Sequence, residues 1–165
     1  MTPVRTAFAF ALAALLAACS DGSASVGTTT ALTEPQVRGF VEAIEASSYT
    51  DRERDVLDPA LADDFRITFR EPGEPDEVMD KDEYAQDADI EDVDYRFKVG
   101  DVRVAADGAS ATADVQATEK YDADGTRYEE SSTADYTIEL RDGEPKVAAI
   151  VSESTGLSID GKKQY

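Results

Sequence analysis

The sequence contains no histidine and no tryptophan, and it has a single cysteine among 165 residues. Without histidine a Ser–His–Asp triad cannot form, and a zinc site would lack one of its usual ligands. A lone cysteine cannot close a disulfide within the chain. Any chemistry would therefore have to use other side chains, of which carboxylates and tyrosines are the candidates.

Basic residues are also scarce, because 16 lysines and arginines stand against 36 aspartates and glutamates, giving a net charge of −20. Such a surface repels nucleic acid and anionic lipid headgroups, so neither is expected as a ligand. The acidic stretch "DADIEDVD" at 87–94 lacks the glycine that an EF-hand needs at loop position six. We expect neither a metal ion nor a cofactor, and a weak, exposed divalent-ion site is the alternative.

An uncharged apolar run occupies residues 7–18 near the N-terminus. As a helix it would span about 18 Å, which is short of the roughly 30 Å hydrocarbon core of a bilayer. One cation, Arg5, precedes the run and small residues end it, as is typical of a signal peptide. Leu16-Ala17-Ala18-Cys19 resembles a bacterial lipobox. The resemblance implies cleavage after Ala18 and lipidation of Cys19, and an ordinary signal peptide is the alternative.

The chain is expected to contain one folded domain after this leader. The predicted boundaries are a signal peptide at 1–18, a flexible tether after the lipidated cysteine at 19–32, the domain at 33–157, and a C-terminal tail at 158–165. The protein is then exported and anchored to a membrane by its lipid. Position 20 is a serine and not the aspartate that commonly retains lipoproteins in an inner membrane. For a Gram-negative organism the resemblance therefore implies the periplasmic face of the outer membrane, with display on the cell surface as a further possibility.

Helical patterns come first in the domain. Thr33 and Gln36 form a capping-box pair, and an apolar stripe at helical spacing follows it at Val37, Phe40, Val41 and Ile44. We expect Phe40 and Ile44 to pack against the sheet. The next predicted segments are a second helix start at 50–57, a short turn in "DPALADDF", a strand at 65–69, a loop at 70–78 and a helix from Asp80 to about Ala88.

Strand patterns follow from Asp92 onward. The alternation changes phase at Gly100, which predicts a bulge there. Asp-Gly pairs at 107–108, 124–125 and 142–143 predict hairpin turns between strands near 93–105, 109–121, 127–140 and 145–154. The predicted fold class is α+β, with N-terminal helices packed on a strongly bent antiparallel sheet.

Residues 33–155 resemble the nuclear-transport-factor-2-like superfamily, which is cystatin-like in architecture and includes SnoaL-like proteins. The resemblance is carried by the capped helix, "VLDPALADDFRITF", a short helix, and long hairpins ending in "YTIELRDGEPKVAAI". It implies a cone-shaped domain with a pocket between the helices and the sheet, and a homodimer through the exposed face of the sheet. The superfamily contains isomerases and dehydratases as well as binding modules without activity.

The predicted site residues follow from strand alternation and from this resemblance. Strand alternation places Glu119, Tyr121, Tyr128 and Glu130 together at one end of a hairpin, where they could line a pocket. The alternative is that this end is a solvent-exposed tip in which the tyrosines form cross-strand pairs. The resemblance implies a pocket lined by aromatic residues, unless their rings fill the cone. These are Tyr49, Phe65, Tyr84, Tyr95, Tyr121 and Tyr136.

No catalytic residue is assigned, so the predicted function is non-catalytic. We expect a lipid-anchored module of the cell envelope that binds a small hydrophobic ligand or an envelope protein. The alternative is a small-molecule isomerase or lyase using a pocket of tyrosine and carboxylate side chains.

Overall fold

The computed structural model describes residues 30–50, 57–86, 93–123 and 125–165, without the side chains of 48–50, 85 and 86. Several predicted features lie outside the described residues. They are the predicted signal peptide, Cys19, most of the predicted tether, residues 51–56 of the predicted second helix segment, and the acidic residues 87–92. None of the helices in the described ranges is both long and apolar enough to cross a membrane.

The described residues form an α+β domain, as the sequence predicts. Its elements, in chain order, are α1 (Glu34–Thr50), β1 (Leu61–Arg70), β2 (Glu77–Asp80), α2 (Lys81–Gln86), β3 (Asp94–Val104), β4 (Ser110–Ala123), β5 (Thr126–Arg141), β6 (Glu144–Ile159) and β7 (Lys162–Lys163). Both helices begin with the predicted capping pairs. The Thr33 N–H donates to the side-chain oxygen of Gln36 at 3.1 Å, and the Asp80 N–H donates to Glu83 at 2.9 Å.

The strands form one strongly curved sheet in the order β2-β1-β6-β5-β4-β3, with β7 paired to the far end of β6. The β1–β6 pair is parallel and the other pairs are antiparallel. Helix α1 packs on one face, which we call the inner face. It is built from alternate residues of the long strands, running from Ala111 to Tyr121 on β4 and from Ile138 back to Tyr128 on β5.

Three predicted boundaries were wrong. The turn after Pro59 is shorter than predicted, because β1 already begins at Leu61 and its first residues are buried in the core. The end of the predicted loop at 70–78 pairs with β1 as β2. Strand β6 continues past 154 to Ile159, where an Asp160-Gly161 turn with positive φ at both residues leads into β7. Residues 158–165 therefore contribute to the sheet.

The predicted bulge and the predicted turns at 107–108 and 142–143 are present. Asp124, of the third predicted turn, lies outside the described residues. The β3–β4 register shifts between Val99 and Val102, around Gly100. The guanidinium of Arg38, on α1, donates to the carbonyls of Val99 and Gly100 at 3.1 and 3.0 Å, so the bulge also fixes the helix. The Asp142-Gly143 turn has positive φ at both residues, as a type I′ hairpin turn requires.

The core lies between α1 and the inner face. Val37, Val41, Phe65, Val115, Ile138 and Val147 are its largest fully buried side chains. Ile44 is buried, as predicted, whereas Phe40 is half-buried and packs against the edge of the core. Val37 and Val41 lie at the centre of the buried face of α1, and Phe40 lies to one side of that face.

Gly108 is a position where alanine should be costly. Its φ is +68°, and an added Cβ would lie 2.5 Å from the Cβ of Ala31. We expect Gly108→Ala to lower the free energy of unfolding in urea by at least about 1 kcal/mol more than Gly125→Ala. Gly125 is the control, because its φ is +79° but no atom lies within 4 Å of the added Cβ. Equal losses would contradict the contact with Ala31.

Candidate functional site

A buried glutamate lies between α1 and the sheet. Glu45 is only 4% exposed, and among the described residues it is the one charged side chain that is buried. It follows Val41 by four residues and Val37 by eight, so it lies on the same face of the helix as these core residues. The helix therefore directs a carboxylate into an otherwise apolar interface.

Two tyrosine hydroxyls satisfy the Glu45 carboxylate. The Tyr136 hydroxyl donates to Oε1 at 2.5 Å, and the Tyr95 hydroxyl donates to Oε2. Tyr136 is on β5 and Tyr95 is on β3, so the two rings reach the carboxylate from opposite sides of β4. Glu45 thus links the helix to two strands of the sheet. We call these three residues the Glu45 cluster.

The two tyrosines differ in their surroundings. Tyr136 is 3% exposed, and its burial, together with the negative charge of Glu45, raises its pKa well above the ordinary tyrosine value. Tyr95 is half-buried and is the second residue of β3, an edge strand. Its ring packs beside Phe97, with the ring centres 6.0 Å apart. Access to the Glu45 cluster is therefore easier on the side of Tyr95.

A second group of polar and aromatic residues lies further along the inner face. Glu119 and Glu130 are directly opposite each other on β4 and β5, and Tyr121 and Tyr128 form the next pair on this face. The two tyrosine rings stack with centres 5.0 Å apart and planes 9° apart. Burial and the nearby charges of Glu119 and Glu130 raise the pKa of Tyr121. We call these four residues the outer cluster.

Along the inner face, burial decreases from the β3–β4 turn toward the outer cluster. Ala111 and Ala113 are buried, with exposures of 3% and 0%. Ala117, Ser132 and Ala134, which continue the same face toward the outer cluster, are half-buried. On β4 and β5, small side chains that are not fully covered therefore lie between Tyr136 and the outer cluster. On β3, Tyr95 lies directly opposite Glu119.

Comparison with solved structures identifies the architecture. The chain aligns with a ketosteroid isomerase-like protein from Erwinia carotovora atroseptica at a TM-score of 0.56 and 18% identity, covering 75% of this chain and 98% of that one. The chain has the nuclear-transport-factor-2-like fold. No protein-family model matches it, and no curated protein does either.

Two further nuclear-transport-factor-2-like structures align over similar lengths. One, from Rhodospirillum rubrum, is a protein of unknown function in nutrient uptake, with a TM-score of 0.57 and 20% identity over 72% of this chain and 97% of that one. The other, from Novosphingobium aromaticivorans, has a cystatin-like fold, with a TM-score of 0.53 and 13% identity over 73% and 80% of the two chains. At these identities the likeness establishes the fold.

The nuclear-transport-factor-2-like fold brings some of the predicted site residues together and separates others. Tyr95 and Tyr136 meet at Glu45, while Glu119, Tyr121, Tyr128 and Glu130 form the outer cluster. The tyrosines there are cross-strand pairs, as in the alternative interpretation of this hairpin. Phe65 is fully buried, and the ring of Tyr84 packs against it with the ring centres 5.6 Å apart. The side chain of Tyr49 lies outside the described residues.

Sequence reasoning missed Glu45, the residue on which the site is centred. The signal was present, because a glutamate interrupts the face that Val37 and Val41 define on α1. A charged residue on the apolar face of a helix that packs against a sheet requires a polar partner. The sequence shows no short-range pattern that identifies Tyr95 and Tyr136 as those partners, since they are 50 and 91 residues away.

The raised pKa of Tyr136 predicts a stability change at alkaline pH. The stabilisation of the folded protein by this pKa shift is fully present below the unfolded-state pKa of about 10. It decreases as the pH rises above that value, because the Tyr136 hydroxyl then loses its proton in the unfolded chain but keeps it in the folded one. We expect Tyr136→Phe to weaken the dependence of the free energy of unfolding on pH above about 10, measured by urea titration. If the free energy of unfolding fell equally steeply with pH in the two proteins, the raised pKa of Tyr136 would be contradicted.

Proposed function

We propose that this protein is a lipid-anchored module of the cell envelope that binds a small, largely apolar ligand on its inner face. The observation that carries the proposal is the Glu45 cluster. A buried carboxylate held by two hydroxyls is weak evidence for added stability, because well-packed apolar residues often serve a core equally well. It is typical of ligand sites, in which a few fixed polar groups lie among apolar and aromatic side chains.

The half-buried part of the inner face supports a ligand of modest size. Ala117 and Ala134 provide little bulk there, and the aromatic rings of Tyr95 and Phe97 lie on the neighbouring strand. Such surfaces suit a flat, apolar molecule with one polar group. Naphthalen-2-ylmethanol is a suitable probe, and saturable binding in a calorimetric titration of the exported chain is the expected result. The proposal would be contradicted if neither this alcohol nor the ammonium and carboxylate with the same naphthalene body gave any heat of binding or thermal stabilisation.

An isomerase or lyase is the second candidate function. It is favoured by the pairing of a carboxylate with tyrosine hydroxyls, and a protein of similar fold is described as ketosteroid isomerase-like. Both oxygens of Glu45 already accept a hydroxyl hydrogen, which leaves them less available as a base than a free carboxylate. A Δ5-3-ketosteroid tests this candidate directly, because isomerisation produces a conjugated enone with strong ultraviolet absorbance. Turnover that Glu45→Gln abolishes would favour the enzyme.

The anchor at Cys19 belongs to the same proposal, and so does the periplasmic face of the outer membrane as its location. The lipobox-like residues 16–19 support it. Cys19→Ser should abolish labelling of the protein by palmitate in cells, since the thioether requires the sulfur. Labelling that persists in this variant would contradict lipidation at Cys19. The homodimer through the face opposite α1 stays a prediction, and sedimentation of the exported chain would test it.

A further inference from the structure

We infer that the ligand of the inner face is an organic cation, with an ammonium group on an apolar body, and that the ammonium takes the place of the Tyr95 hydroxyl at Glu45. This inference rests on the proposed function, since it names the ligand class of the same site.

The Glu45 cluster selects for ligands that donate hydrogen bonds. A carboxylate offers acceptors only, and each tyrosine hydroxyl has a single hydrogen, which it donates to Glu45. A ligand carbonyl or carboxylate would find no unused hydrogen within the cluster. A ligand ammonium can donate to the carboxylate and gains a charge-assisted hydrogen bond.

Of the two hydroxyls, that of Tyr95 can be exchanged for a ligand. Tyr136 is buried on β5, between β4 and β6, and displacing its hydroxyl would leave it without a partner in the core. Tyr95 is half-buried on an edge strand, so its displaced hydroxyl could be solvated. A ligand that approaches along the half-buried part of the inner face would therefore compete with Tyr95.

The charges on the inner face favour a cation. Glu45, Glu119 and Glu130 all lie on it, whereas the lysines and arginines of the four long strands alternate to the opposite face. Those cations are Arg96, Lys98, Arg103, Lys120, Arg127, Arg141 and Lys146. The stacked rings of Tyr121 and Tyr128 add aromatic surface near which a cation is also stabilised. An anion would meet repulsion along the same face.

Three probes with the same naphthalene body test the inference by titration of the full exported chain at pH 7. They are naphthalen-2-ylmethylammonium, naphthalen-2-ylmethanol and naphthalene-2-carboxylate. We expect the ammonium to bind about tenfold or more tightly than the alcohol, and the carboxylate to bind more weakly than either. If the alcohol binds as tightly as the ammonium, the proposed function stands and the inference is overturned. If none of the three binds, the proposed function fails and the inference fails with it.

Variants then locate the ammonium. Glu45→Gln should remove the preference for ammonium over alcohol, whereas Glu130→Gln, the same change on the same face but two strands away from Tyr95, should retain most of it. The opposite pattern would place the cation at the outer cluster and overturn the inference. Tyr95→Phe removes the competing hydroxyl and should strengthen ammonium binding about threefold or more, while Tyr136→Phe should not. Unchanged affinity in Tyr95→Phe would also overturn it, and this test remains decisive if Glu45→Gln fails to fold.

Discussion

Phe65→Ala is expected to lower the free energy of unfolding by about 3–5 kcal/mol, the largest loss for a single substitution that we anticipate. Phe65 is fully buried on β1, and Tyr84 of α2 packs against its ring. Removing the ring would leave a cavity where β1 and α2 meet, and the surrounding strands can collapse only partly into it. Urea denaturation followed by circular dichroism would measure the loss.

Phe40→Ala is the matched control for Phe65→Ala, since it removes the same atoms from a half-buried position on α1. We expect a smaller loss of stability from it, because the ring of Phe40 lies at the edge of the core. If Phe40→Ala proved as destabilising as Phe65→Ala, the assignment of the core centre to Phe65 would be wrong.

Glu45→Ala is expected to cost about 1–3 kcal/mol of unfolding free energy. The substitution leaves the buried hydroxyl of Tyr136 without its acceptor and removes the link between α1 and two strands. Glu42→Ala provides the control, because Glu42 lies on the same helix but is exposed, and its replacement should change stability by less than about 0.5 kcal/mol.

A double-mutant cycle would identify the cause of that loss. Tyr136→Phe removes the hydroxyl that Glu45→Ala leaves unpaired, so the double variant should lose less stability than the sum of the two single variants. Additive losses would mean that the hydrogen bond between Tyr136 and Glu45 contributes little.

Local sequence patterns were sufficient to predict much of the fold. The Thr33–Gln36 and Asp80–Glu83 capping pairs, the bulge at Gly100 and the Asp142-Gly143 turn each depend on residues close together in the chain. The long hairpins have short loops, so turn positions and alternation together determine their register. The opposition of Tyr121 and Tyr128 follows directly from this.

Long-range pairings were not predictable in the same way. The parallel pairing of β1 with β6 joins Leu61 to Val147, and no local pattern specifies it. The end of β6 was missed because Ser154, Thr155, Gly156 and Ser158 interrupt the apolar alternation. The Asp160-Gly161 turn carries the same signal as the turns that were predicted, but the short β7 after it has no apolar residue.

The hydrogen bond between the Leu32 N–H and the Gly108 carbonyl, 2.8 Å long, has a consequence for the orientation of the domain. It fixes the chain entering α1 beside the β3–β4 turn, at the far end of β4 from the outer cluster. Strand β4 has 14 residues, and a strand of that length spans about 45 Å. If Cys19 is lipidated as proposed, the tether attaches at the turn end, and the opposite end of the inner face can point away from the bilayer. A ligand would then reach it from the aqueous compartment rather than by lateral diffusion from the membrane.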